Sequence, residues 1–144
     1  MVANEYPKYY TKMVWDGLKA EGEKDVVSLV RSAWTGSQKY GALVWSGDIE
    51  STFDALRNQV QAGINMGICG FPWWTTDTGG FMHGDVDDPK FHELLIRWFQ
   101  YSTFCPVLRM HGDRKSSKHI PDGNRYFPPN EIWSYGEEVY EILK

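Results

Sequence analysis

Gly41-Ala42-Leu43-Val44-Trp45-Ser46-Gly47-Asp48 is the stretch on which the fold turns. Residues 41–44 are apolar and uncharged, the composition of a short strand buried on both faces. Ser51-Thr52-Phe53-Asp54 follows with the pattern of a capping box, which opens a helix. An acidic residue therefore stands where a buried strand ends and a loop leads into a helix. In α/β barrels and doubly wound sheets that edge is where active sites are built. Asp48, just after a Gly and close to Trp45, has the setting of a general acid. An indole excludes water and favours a neutral carboxyl, and a Gly lets a substrate come close. The plainer role for Asp48 is to cap the helix that follows.

Composition narrows the classes. At 144 residues the chain has the size of one domain. A net charge of -4 and the lack of a basic stripe argue against a nucleic-acid surface. Lys115 to Lys118 is only a small basic patch broken by serines. No apolar run is long enough to cross a bilayer, so no membrane partner is expected. Met1 to Lys8 has no signal-type apolar core, which leaves the compartment open. Cys69 and Cys105 have neither metal-type spacing nor a CxxC pattern, and their apolar sequence neighbours predict buried thiols. Aromatic residues make up 15% of the chain and seven are Trp, more than a core needs, because each indole N–H wants a partner. Clustered Trp suit a wall for sugar rings, which are apolar on their C–H faces and polar at their edges.

The remaining elements follow from periodicity. Glu5 to Ala20 reads as a helix with Tyr6, Tyr10, Met13, Val14 and Leu18 on one face, Pro7 near its start and Gly22 as its stop. Asp25 to Val30 reads as a strand ending at Arg31, Ser32 to Tyr40 as a loop, and Ala42 to Trp45 as the next strand. Ser51 to about Asn65 places Phe53, Leu56, Val60 and Ile64 on one helical stripe. Met66 to Phe71, apolar with two glycines, reads as a tight buried strand. Residues 72–81 have too much Gly and Trp for an ordinary connection and read as a binding loop. Asp88-Pro89 starts a helix whose core face is Phe91, Leu94, Leu95, Trp98, Phe99 and Ser102. Pro106 to Met110 reads as a fourth strand ending at His111-Gly112, Asp113 to Asn130 as a polar loop, and Glu131 to Lys144 as a helix. Strand and helix-bound loop alternate, which predicts an α/β fold with a parallel sheet. Each strand ends in a polar group at the same edge: Arg31, Asp48, Asp77, then Arg109 and His111. Strand tips that converge on one rim make a catalytic or binding face.

Four of these segments together resemble glycoside hydrolase family 31. They are residues 31–40 (RSAWTGSQKY), Trp45-Ser46-Gly47-Asp48, residues 70–81 (GFPWWTTDTGGF) and Arg109-Met110-His111-Gly112. The resemblance covers nearly the whole chain and leans towards the bacterial α-xylosidase-like branch. It implies a retaining α-glycosidase, of α-xylosidase or α-glucosidase type, on a (β/α)8 barrel, with a carbohydrate substrate and no cofactor or metal. Carried over by position, Asp48 is the general acid/base. Arg31, Trp45, Asp77 and His111 line the subsite for the non-reducing-end sugar, Phe81 is an apolar contact beside it, Arg109 supports it, and Trp74 joins the aromatic wall. In the family the nucleophilic aspartate lies at the end of the fourth barrel strand, ahead of the helix read here at Glu5–Ala20. No Asp-x-x-Glu pattern precedes that helix. A full barrel takes about 250 residues. Residues 1–144 are therefore expected to be a parallel half-barrel, strands five to eight, inactive alone and partnered in the intact enzyme by the remainder of the barrel. Two unpaired strand edges predict self-association, with two halves closing one barrel as one form of it.

Plainer readings stand beside these. Trp73 and Trp74 could be core, since consecutive strand residues face opposite ways. Asp77 could serve the Gly79-Gly80 turn, and His111 could be structural. His83, Asp85, Asp87 and Asp88 fit no calcium-loop spacing and read as a solvated connection. His92 and His119 read as surface residues. Two other classes compete with the glycosidase. A non-catalytic carbohydrate-binding module would use the same aromatics without needing Asp48. A phosphate-ester barrel enzyme would want a Gly-rich loop at a helix N-terminus, and none is present.

Overall fold

The computed structural model describes residues 3–116 and 130–144. Helix α1 (Tyr6–Ala20) carries Pro7 in its first turn, where a missing N–H breaks no helical bond. Its predicted apolar face points largely outward: Tyr6, Tyr10, Met13 and Leu18 are all exposed, and Thr11 is the buried residue of the helix. Strand β1 (Ser28–Val30) pairs in parallel with β2 (Ala42–Trp45), with Leu29 opposite Leu43. Ala42, Leu43 and Val44 are buried, as their uncharged run requires. Residues 37–40 form a 3-10 turn, closed by Gly41 at a φ of 67°, a left-handed conformation that suits glycine.

Helix α2 (Phe53–Ile68) starts at Thr52, whose hydroxyl accepts a hydrogen bond from the Ala55 N–H. Asp48 therefore does not cap it. Here the sequence expectation needs correcting. The run Met66 to Phe71 is not a strand: α2 continues through Ile68, and Cys69 still donates its N–H to the Asn65 carbonyl. The third strand comes later, as β3 (Trp74–Thr75), parallel to β2 with Val44 opposite Trp74. Apolarity and two glycines resembled a buried strand, but the backbone had not yet left the helix. The predicted strand at Pro106–Met110 is reduced to one parallel bridge between Asp77 and Arg109. Thr75 still donates its hydroxyl to the Val107 carbonyl at 2.6 Å, so the segment keeps its place beside β3.

A second, two-stranded parallel sheet joins β4 (Gly84–Asp85) to β5 (Arg114–Lys115). Helix α3 (Pro89–Ser102) has Asp88 as N-cap, accepting from the Lys90 N–H, as the Asp-Pro signal predicts. Its face forms the principal core. Phe91, Leu94, Leu95 and Trp98 pack with Val86, Tyr135, Val139 and Leu143, and Phe99 lies at the edge of that cluster. The last predicted helix is split into a 3-10 turn (Ile132–Tyr135) and α4 (Glu137–Leu143), with Gly136 at the break. A second cluster, Val30, Ala42, Val44, Phe71 and Trp74, backs the first sheet.

Two smaller expectations also change. Cys69 is exposed and Cys105 only half-buried, because apolar neighbours in sequence are not neighbours in space. His92 is half-buried, and its Nε2 lies 2.6 Å from the Val86 carbonyl. His119 and most of the predicted polar loop lie outside the described residues. No helix among the described residues is long and apolar enough to cross a membrane.

Candidate active site

The parallel register of β1, β2 and β3 brings their C-terminal ends to one edge. Arg31 follows β1, Trp45 and Asp48 close β2, Asp77 follows β3, and the Asp77–Arg109 bridge adds Arg109 and His111. The two Nη2 contacts from Arg31 to the Asp48 carboxylate are both 3.3 Å. The Asp48 side chain is 34% exposed and that of Arg31 64% exposed, so this is a loose ion pair open to solvent. Asp77 differs: it is fully buried, and Arg109 Nε donates to its Oδ1 at 2.8 Å. Its Oδ2 is buried with no hydrogen-bond partner. The Trp45 indole links the two pairs, with its ring centre 4.9 Å from the Arg31 guanidinium and 5.5 Å from that of Arg109. Such contacts hold an Arg in place without consuming its hydrogen-bond donors. Phe81 and the exposed His111 complete the rim, with rings 5.4 Å apart.

Buried polar bonds fix this edge from beneath. Thr75, Thr76, Asp77 and Thr78 are all fully buried, which polar residues tolerate only when partnered. Ser46 donates to the Thr76 hydroxyl at 2.9 Å, tying the β2 loop to the β3 loop. Thr78 donates to the Ser102 hydroxyl at 2.8 Å, tying the same loop to the end of α3.

Burial pushes the Asp77 carboxyl above the usual carboxylate range, against the opposing pull of Arg109 and His111. Folding therefore favours its protonated form. Its contribution to stability is full below about pH 4, the ordinary unfolded value, and is lost as pH rises through the higher folded value. Asp77→Asn is expected to flatten that dependence. In urea unfolding, the difference between wild type and variant should move in favour of the variant as pH rises from about 4 to 7. A difference that does not change with pH would show that Asp77 is not its source.

One sequence-predicted residue is not on the rim. Trp74 is 8% exposed and packs beneath the sheet with Val30, Val44 and Phe71. Its side chain faces Gly63, where an added Cβ would lie 2.8 Å from the indole nitrogen. Trp73 is the exposed member of the pair. A cavity of about 390 Å3 lies elsewhere, between the start of α2 and α3, lined by Phe53, His83, Asp85, Phe91 and Glu93 among others. None of the rim residues lines it. Among the described residues, no group of three or more His, Cys, Asp or Glu is placed to hold a metal ion.

Sequence reasoning missed Arg114, which it placed in a polar loop. The side chain is buried and its guanidinium reaches the carbonyls of the 78–80 turn. Glycines at 79, 84 and 112 all border this one side chain, a convergence that spacing in the sequence does not show.

The profile of the glycosyl hydrolases family 31 TIM-barrel domain matches residues 1–144. The chain belongs to glycosyl hydrolases family 31. Among its family 31 relatives, an uncharacterized family 31 glucosidase of Pseudescherichia vulneris is 60% identical over 114 residues, 79% of this chain and 22% of that protein. The α-xylosidase of Saccharolobus solfataricus is 41% identical over 140 residues, 97% of this chain and 17% of that protein. A solved family 31 α-xylosidase from a soil metagenome, complexed with xylose, superposes with a TM-score of 0.88 at 55% identity, covering 99% of this chain and 22% of that one. A xylosidase from Aspergillus niger gives 0.86 at 36% identity, covering 96% of this chain and 21% of that one. The chain thus spans about a fifth of the length of these family 31 proteins.

Proposed function

We propose that this chain is the acid/base-bearing second half of a retaining α-glycosidase barrel, strands five to eight. It acts on terminal α-xylosyl or α-glucosyl residues. The observation that carries the reading is the rim: an accessible carboxyl, Asp48, beside a buried, arginine-bound carboxyl, Asp77, with both arginines against Trp45. The two carboxyls suit different tasks. Asp48, about a third open to solvent, can exchange a proton with a glycosidic oxygen and later with water. Asp77, fully buried and bound to Arg109, suits holding that arginine at the rim, and its unpartnered Oδ2 reaches a sugar hydroxyl only once substrate binding uncovers it. Arg31 is exposed enough to turn from Asp48 to a sugar hydroxyl, and Phe81 with His111 forms the adjoining wall.

Retaining hydrolysis also needs a carboxylate roughly 5–5.5 Å from the acid to attack the anomeric carbon. Asp77 is a poor candidate, since it is buried and engaged by Arg109. The family resemblance implies a nucleophile at the end of the fourth barrel strand, in the first half of the barrel. The same half would cover what this chain leaves exposed: the edge of β1 with Val27 and Leu29, and the apolar stripe of α1. Separated from it, the chain is expected to self-associate through those surfaces.

The test is p-nitrophenol release from aryl α-xyloside and α-glucoside by the purified 144-residue chain, with Asp48→Asn as control. The expected result is no turnover above the control. Turnover that depends on Asp48 would place a second working carboxylate within these residues and overturn the half-barrel assignment.

A further inference from the structure

We propose that Arg114 is a positioning residue of the sugar subsite, its buried guanidinium clamping the turn between Asp77 and Phe81 to the segment that carries His111. Nη2 donates to the Thr78 carbonyl at 2.7 Å and Nη1 to the Gly80 carbonyl at 2.6 Å, with Gly79 at 3.3 Å and His111 at 3.5 Å as longer contacts. The Ser51 hydroxyl accepts at 3.3 Å, and the ring of Phe91 lies 4.9 Å from the guanidinium carbon. An arginine reads planar arrays of acceptors with two nitrogens at once, which a lysine cannot reproduce.

The surroundings are shaped for this group. A Cβ at Gly112 would lie 2.5 Å from the guanidinium carbon, one at Gly84 2.8 Å from Nη1, and one at Gly79 3.0 Å from Nη2. Three glycines from separate segments thus leave room for one side chain. Burying a charge is costly, and here the carbonyls of residues 78–80 offset part of that cost. The bonded carbonyls belong to residues 78–80, directly between Asp77 and Phe81. The Asp113 N–H adds a 2.7 Å bond to the Phe81 carbonyl, so both strands of the clamp lead to rim residues. Loosening it would let Asp77, Phe81 and His111 drift relative to Asp48.

The kinetic arm of the test rests on the glycosidase reading, and the exchange arm does not. In the full-length enzyme, Arg114→Met, Arg114→Lys and Gly112→Ala are compared with wild type for kcat and KM on an aryl α-xyloside or α-glucoside. Amide hydrogen exchange is followed at Thr78, Gly80, Phe81 and Asp113, with α3 amides as reference. Gly112→Ala keeps the charge but crowds the guanidinium, and it decides the matter with Arg114→Lys if Arg114→Met does not fold. A displacement near 1 Å costs on the order of 100-fold in rate. The expected result is a loss of that order in kcat/KM for Arg114→Met, carried by kcat, with partial recovery in Arg114→Lys. Exchange should quicken at the loop amides and not in α3. Folded variants whose kcat stays within about threefold of wild type would overturn the proposal, whatever their melting temperature, as would unchanged loop exchange. If wild type cleaves neither substrate, the glycosidase reading fails, and loop exchange alone then decides the clamp.

Discussion

Asp48→Asn is expected to lower kcat/KM on alkyl α-glycosides by about 100- to 10,000-fold in the intact enzyme, the usual range for loss of general acid–base catalysis. The amide keeps the size of the side chain and one acceptor for Arg31, so the rim should stay intact while the transferable proton is lost. The loss should depend on the leaving group. An alkoxide leaves only if protonated, whereas p-nitrophenolate leaves with little help. The variant should therefore form the glycosyl-enzyme readily from aryl substrates and stall at hydrolysis, where Asp48 would act as base. Comparing kcat/KM over leaving groups of rising pKa checks this. A uniform loss across the series would mean that Asp48 positions substrate and does not donate the proton.

The second large effect is on stability. Trp98 is fully buried at the centre of the α3 core, against elements as distant in sequence as Val139 and Leu143. Trp98→Ala is expected to cost about 3–5 kcal/mol, the usual range for truncating a buried aromatic. That is a large fraction of the roughly 5–15 kcal/mol that holds a domain together. The indole N–H of Trp98 has no hydrogen-bond partner, so Trp98→Phe removes an unpaired donor along with part of the ring. The Phe variant should therefore lose much less than the Ala variant. Urea unfolding followed by far-UV circular dichroism separates them. Equal losses for the two would mean that the cavity around Trp98 collapses freely.

The parts of the fold that could be read in advance were those written in local spacing. Helix α3 is the clearest: Asp88 caps it, Pro89 opens it, and Phe91, Leu94, Leu95 and Trp98 are its buried face. Strand β2 was legible because four uncharged apolar residues end at a polar loop. Spacing shows which face of a helix is apolar but not what covers it. The predicted stripe of α1 and the ends of that of α2, Phe53 and Ile64, are exposed in this chain. Gly67 and Gly70 misplaced the third strand, because glycine marks both a weakened helix and a tight strand. Of the rim, Arg31, Trp45, Asp48, Asp77, Phe81, Arg109 and His111 are brought to one edge by the parallel register and by the Asp77–Arg109 bridge. Trp74 packs beneath the sheet, the plainer of its two readings, and its neighbour Trp73 takes the outward side. Arg114 was invisible because its partners are backbone carbonyls and glycines, whose convergence exists only in three dimensions.

The most direct test of the central claim is azide rescue of Asp48→Asn in the intact enzyme, with p-nitrophenyl α-xyloside or α-glucoside as substrate. Azide needs no general base to attack a glycosyl-enzyme. If Asp48 is the acid/base of a retaining reaction, azide should restore turnover, and the product should be the α-glycosyl azide, reached through two inversions. No rescue, or a β-configured azide, would contradict the role assigned to Asp48.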